Sequence, residues 1–204
     1  KAAEFKTTNN DDTIGWIRIP NTNVDYPVVY KAGVENYAYY ESKGYDKQYS
    51  KDGVIWADYE CTFPELSQNT TLYGHNWHNI YTPRTQANMQ ANDLMFSLVM
   101  SYNYTDFAQE NPFVYFSTTE QDYVFQVFAS YYTDLNFGYN YAQMSQEDFQ
   151  KVIAEAKAKS LSNYNVPVTS EDKIVTLSTC TRVHGNTNNQ RFVVMAKLVP
   201  VGTP

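Results

Sequence analysis

Three residues of different chemistry, Cys180, His75 and Arg191, each stand at the end of an apolar, β-type run. Cys180 closes KIVTLSTC, whose alternation puts Val175, Leu177 and Thr179 on one face and Ile174, Thr176, Ser178 and Cys180 on the other. The polar loop TRVHGNTNNQ follows, so the thiol belongs to a strand rim rather than a core. His75 lies in TTLYGHNWHN, at a strand end and loop start, and Arg191 opens RFVVMAKLV. Singly, each has a plain explanation: a free Cys is usually a small hydrophobe, a loop His is usually solvated, and an Arg at a strand mouth makes a surface ion pair. Together they suggest more, because a cysteine nucleophile needs an imidazole near its thiol. A hairpin through the ten-residue loop 181–190 would also put Arg191 beside Cys180. A guanidinium there stabilises a thiolate or an oxyanion.

The remaining candidates are weaker. His78 forms an H-x-x-H with His75, but on a strand end without a nearby acidic third ligand, which does not suit a metal. Arg182, two residues from Cys180, is the rival to Arg191, while His184 sits in the same loop. Cys61 lies in the loop segment DYECTFPE and reads as incidental. Two cysteines define neither a disulfide framework nor a four-Cys zinc pattern.

The elements that must position these side chains are mostly strands. Eight runs rich in Val, Ile, Tyr, Phe or Thr, punctuated by turn residues, cover 15–20, 24–30, 53–58, 70–76, 113–118, 123–134, 173–180 and 191–199. That number and spacing predict a mainly β fold closed as a barrel, or else a sandwich; a barrel leaves no edge to protect. Helices interrupt the pattern. Ser145 and Asp148 form a capping-box start, and Phe149, Val152, Ile153 and Ala156 recur at helical spacing to about Ser160, between the sixth and seventh strands. A second helix is expected over 92–102, then a shorter turn stopping before Pro112. Residues 1–13 read as a short helix or loose arm. No repeat, linker or low-complexity tract divides the 204 residues, so one domain is expected over 1–204.

Composition narrows the partners. With 15 Lys and Arg against 22 Asp and Glu, the net charge of −7 argues against nucleic acid and against a polybasic membrane-surface module. No apolar run is long enough to span a bilayer, and the opening KAAEFK is no secretory signal. The 19 Tyr offer flat faces with a hydroxyl, suited equally to half-exposed strands and to a groove for an extended polar ligand.

The set LYGHN, TLSTC and an Arg heading the next strand resembles the sortases, cysteine transpeptidases of Gram-positive cell surfaces. IGWIRIPNTNVDYPVVY, DGVIWAD, MFSLVMSYNYTDFAQENPFVYF and the helix at 145–160 are similar to the class B subgroup, and the likeness covers nearly the whole chain. It implies an eight-stranded barrel with inserted helices, one of them between strands six and seven. It also implies Cys180 as nucleophile, His75 as general acid and base, and Arg191 as oxyanion and substrate anchor, with Tyr73 and Ser178 lining the substrate groove. The implied partners are the sorting-signal peptide of a secreted protein, of Asn-Pro-x-Thr or Ser/Pro-Pro-x-Thr-Gly type, and a peptidoglycan amine as acceptor. No metal or other cofactor is called for. The implied location is the outer face of the membrane, held by an anchor upstream of Lys1. A pilin polymerase with a Lys acceptor and a non-catalytic peptide- or glycan-binding barrel are the alternatives. A papain-like hydrolase is disfavoured, since such enzymes present their Cys early, at a helix start.

Overall fold

Each of the eight β-type runs forms a strand in the computed structural model, which describes residues 1–200. They are β1 (Thr13–Arg18), β2 (Asp25–Val29), β3 (Ile55–Ala57), β4 (Asn69–Tyr73), β5 (Phe113–Thr118), β6 (Asp122–Asp134), β7 (Ile174–Cys180) and β8 (Gln190–Leu198). β5 has the bounds expected of it, and the others shift by a few residues, the margin within which strand ends fray. The strands close into a barrel in the order β1-β2-β3-β4-β7-β8-β6-β5, with no sheet edge left unpaired. Two neighbouring pairs, β2–β3 and β4–β7, are parallel; the rest are antiparallel. Residues 201–204 of the expected domain lie outside the described residues.

Alternation along the strands divides the apolar residues between two cores. Inward-facing Ile17, Val28, Ile55, Leu72, Phe116, Phe125, Val175, Leu177 and Val194 fill the barrel. On the outer face of β6, β7 and β8, Tyr131, Ile174, Val193 and Met195 pack under a helix, α3 (Gln146–Lys159). This is the helix expected between the sixth and seventh strands. Ser145 Oγ accepts the Asp148 N–H at 3.1 Å as its N-cap, Phe149, Ile153 and Ala156 are buried, and Lys157 and Lys159 lie in the last turn, where the helix dipole favours cations.

The leading arm is the short helix that is one of its two expected forms, α1 (Ala2–Thr8), and β1 begins at Thr13. One expectation changes. The helix expected over 92–102 is a 3-10 helix confined to Ser97–Asn103, followed by α2 (Thr105–Glu110). Asp93 is one reason: its buried carboxylate accepts the Gln90 N–H at 2.8 Å and pairs with Arg84 at 2.7 Å. Met95 then takes a positive φ of 52°. Turns therefore use the backbone groups that a helix would need.

Candidate active site

The two parallel strands β4 and β7 run side by side with Tyr73 opposite Ser178. Two residues beyond each of these stand His75 and Cys180, so both leave the same end of the barrel. Across the β7–β8 hairpin Cys180 is paired directly with Arg191. Three adjacent strands thus deliver an imidazole, a thiol and a guanidinium in a row. The Gly74 step between β4 and His75 tolerates no side chain, since a Cβ would lie 2.5 Å from Ile55 and 2.6 Å from the ring of Phe96. Thr179 Oγ1 donates to the Gly74 carbonyl at 2.7 Å and fastens the two strand ends together.

All five residues singled out in the sequence, Tyr73, His75, Ser178, Cys180 and Arg191, line one cavity of about 280 Å³. Cys180 is half-buried at its mouth and unbonded to Cys61, which is itself buried, its thiol pushed up to about 12 mainly by desolvation. The His75 ring does not bond to Cys180. Its Nε2 is 2.6 Å from the carbonyl oxygen of Glu41, so Nε2 carries a proton and Nδ1 is the nitrogen left to accept one. Arg191 donates from Nη1 to the carbonyls of Asn188 and Gln190, both at 2.9 Å, leaving its other N–H groups for the cavity. A second cavity, of about 340 Å³, opens on the other side and shares His75, Cys180 and Arg191 with the first.

The rival candidates are placed differently. Arg182 lines only the second cavity and donates to Asn188 Oδ1 at 2.8 Å. His78 is exposed, and His184 packs edge-on against Tyr132. Among the described residues no cluster of three His, Cys, Asp or Glu could hold a metal ion.

The structure also adds residues to the cavity that the sequence did not single out. Tyr139 and Asn140, from the loop between β6 and α3, form one wall; Trp56 and Asp58, from β3 and the turn after it, form another. The Tyr139 hydroxyl shares a 2.8 Å hydrogen bond with Ser178. The Tyr73 hydroxyl donates to Asp58 at 2.7 Å and accepts from Asn140 at 2.9 Å. Burial raises the Asp58 carboxyl above its usual range, partly offset by the Glu60 N–H and the Tyr73 hydroxyl. Asp58 could have been noticed as the polar end of a strand; Tyr139 and Asn140 sit in a loop with no periodicity to mark them. Exposed Tyr37 and Leu135 flank the entrance. The whole forms an aromatic-walled groove leading to a thiol, suited to an extended peptide.

Comparison with known proteins shows the family. The sortase domain model matches residues 17–199. Sortase B of Staphylococcus aureus is 30% identical over 193 residues, covering 94% of this chain and 72% of that protein. A Staphylococcus aureus sortase B–substrate complex superposes with a TM-score of 0.80 at 28% identity, over 98% of this chain and 85% of that one. Sortase B of Clostridium perfringens gives a TM-score of 0.79 at 27% identity, over 98% and 100%. The chain belongs to the sortases, a family of cysteine transpeptidases, and its structural neighbours are their class B members.

Proposed function

We propose that this protein cleaves the sorting motif of a secreted protein after its Thr and joins the Thr carbonyl to a peptidoglycan amine. The observation that carries the reading is the row His75–Cys180–Arg191 at the mouth of one aromatic-walled cavity. Cys180, as thiolate, attacks the Thr carbonyl carbon, and the negative charge moves to the carbonyl oxygen, where the Arg191 guanidinium stabilises it. Collapse of that intermediate breaks the peptide bond. The leaving nitrogen takes a proton from the His75 imidazolium, and a thioacyl-enzyme remains. An acceptor amine then attacks the thioester and gives its proton to His75. Cys180 leaves as thiolate, and a new amide is formed. The second cavity on the far side of the thiol leaves room for departure and entry while the acyl group occupies the first. Tyr73 and Ser178 border the peptide, their hydroxyls held by Asp58, Asn140 and Tyr139. The motif is of Asn-Pro-x-Thr or Ser/Pro-Pro-x-Thr-Gly type, and the reaction takes place on the outer face of a Gram-positive membrane.

Intact mass after mixing the protein with both peptide types, with and without an amine, tests this directly. The wild type is expected to carry a thioacyl adduct that is absent in Cys180→Ala and is converted to amide product as amine is added. Arg191→Ala should lower kcat by about 10²–10³-fold, the usual loss for one oxyanion donor. Failure of every peptide to form an adduct or be cleaved would refute the assignment.

A further inference from the structure

We propose that Trp77, the residue two beyond His75, is a positioning residue that sets the plane of the catalytic imidazole. Its indole stacks on the His75 ring with centroids 5.0 Å apart and planes at 29°. The indole is itself fixed, because Nε1 donates to the Lys51 carbonyl at 3.0 Å and the Lys51 ammonium lies 5.7 Å from its ring centroid. Yet Trp77 is 44% exposed, so core packing does not account for a tryptophan here.

Three further contacts bear on the same imidazole: the Trp56 ring of β3, tilted at 54° with centroids 5.6 Å apart, and two from the stretch that holds Trp77. The Glu41 carbonyl accepts from Nε2 at 2.6 Å. The Gly53 backbone passes so close to the ring edge that a Cβ would lie 2.9 Å from Cδ2 and 3.3 Å from Nε2; its φ of +60° also favours glycine. Glu41, Lys51 and Gly53 all belong to the long connection between β2 and β3. That connection is anchored well away from the site. The buried Tyr40 hydroxyl donates to Asp12 at 2.6 Å, Tyr45 donates to the Pro27 carbonyl at 2.8 Å, and Asn10 donates to the Tyr45 carbonyl at 2.8 Å.

A loop of this length, with only a 3-10 turn at Val34–Asn36 and one isolated β-bridge, usually has a task, and here it presents one carbonyl to the imidazole, one to the stacking indole, and a bare backbone to the ring edge. Tying Nε2 to Glu41 would not by itself stop the ring from tilting about that bond. A flat partner 5.0 Å away, stacked nearly parallel, resists the tilt and keeps the ring in one orientation. A small misplacement of a catalytic group costs rate far more than affinity.

The inference rests on the transpeptidase reading, so its test includes an arm that needs no substrate. Turnover of a sorting peptide with an amine would be measured for wild type, Trp77→Leu, Trp77→Phe and Gly53→Ala, alongside melting temperature. Trp77→Leu is expected to lose about 10–100-fold in kcat with KM changed by less than about twofold. Trp77→Phe, which keeps a stacking ring, should recover most of the loss, and Gly53→Ala should behave like Trp77→Leu. Nitrogen-15 NMR of the histidine rings, assigned with His75→Gln, should show a proton fixed on Nε2 of His75 in wild type and Trp77→Phe. Trp77→Leu should keep that proton, because Glu41 still accepts it, but should shift and broaden the His75 ring signals as the ring tilts. Equal kcat and an unchanged ring signal in Trp77→Leu would overturn the proposal, as would a loss that Trp77→Phe does not relieve. If wild type turned over no peptide, the functional reading would fail while the ring signals still decided the role of Trp77.

Discussion

Asp58 is a cavity-wall carboxylate whose proton affinity is set by its surroundings. Its carboxyl is buried in the cavity wall, and desolvation raises it above the ordinary value of 3.8 despite the donated Glu60 N–H and Tyr73 hydroxyl. The folded chain therefore holds this proton to higher pH than the unfolded chain does. From the ordinary carboxylate range upward the folded state binds more protons, and its stability falls as pH rises until the raised native value is passed. Asp58→Asn removes that dependence while keeping an oxygen to accept from Tyr73. The melting temperature of the variant relative to wild type should climb with pH over this window and then level off; a difference that is flat or falls with pH would contradict it. Tyr73→Phe acts from the other side of the same bond. It strips Asp58 of a donor and Asn140 of an acceptor, so about 1–3 kcal/mol should be lost in denaturant melts, the cost of leaving buried polar groups unpaired.

The cavity wall made by the loop between β6 and α3 is held by side chains of β4, and Asn69 is the main tie. Fully buried, it donates from Nδ2 to the carbonyls of Tyr139 at 2.8 Å and Tyr141 at 3.2 Å, while its Oδ1 accepts from Thr176 at 2.7 Å. Thr71 Oγ1 adds a 3.4 Å bond to the Asn140 carbonyl. Asn69→Ala should cost about 2–4 kcal/mol, since two buried partners and one part-buried carbonyl are released at once. Because Tyr139 and Asn140 lose their tether, KM for a sorting peptide should rise more than kcat falls; an unchanged KM would show that the loop holds its shape by other means. These ties also explain what the sequence could and could not disclose. Strand alternation exposes Cys180, His75 and Arg191 as strand-end residues, and hairpin logic pairs Cys180 with Arg191, because both are local rules. Nothing local says that Asn69 reaches a loop seventy residues away, so Tyr139 and Asn140 had no mark on them. The helix expected over 92–102 failed for a related reason. Phe96 is drawn beneath Gly74 and donates its N–H to the His75 carbonyl at 3.1 Å, a tertiary demand that helical periodicity does not encode.

At the scale of the whole molecule, the site depends on barrel closure. The row of three candidate residues exists only because β4, which ends at residue 73, lies parallel beside β7, which starts at residue 174. All of β5, β6 and α3 lie between them in sequence. Such a contact forms late and as part of a global event, since loop-closure entropy must be overcome before the pairing contributes. Nor can the pieces come apart one by one. α3 covers the outer face of β6, β7 and β8, and its Phe149 and Ile153 share one cluster with Val193 and Met195. β8 in turn contributes Phe192 and Val194 to the barrel interior, so the same strand belongs to both cores. Melting the helix would expose the back of the strand that carries Arg191, and opening the barrel would unseat the helix. Unfolding should therefore be a single cooperative transition, with calorimetric and van't Hoff enthalpies equal and near about 140 kcal/mol at roughly 60 °C for a chain of this length. Alkylation of Cys61, whose thiol is buried in the folded chain, and loss of far-ultraviolet circular dichroism should share that midpoint. Two resolved transitions, or a helix signal lost before the barrel's, would show that the two cores are separable and that the active-site row can survive without its helical cover.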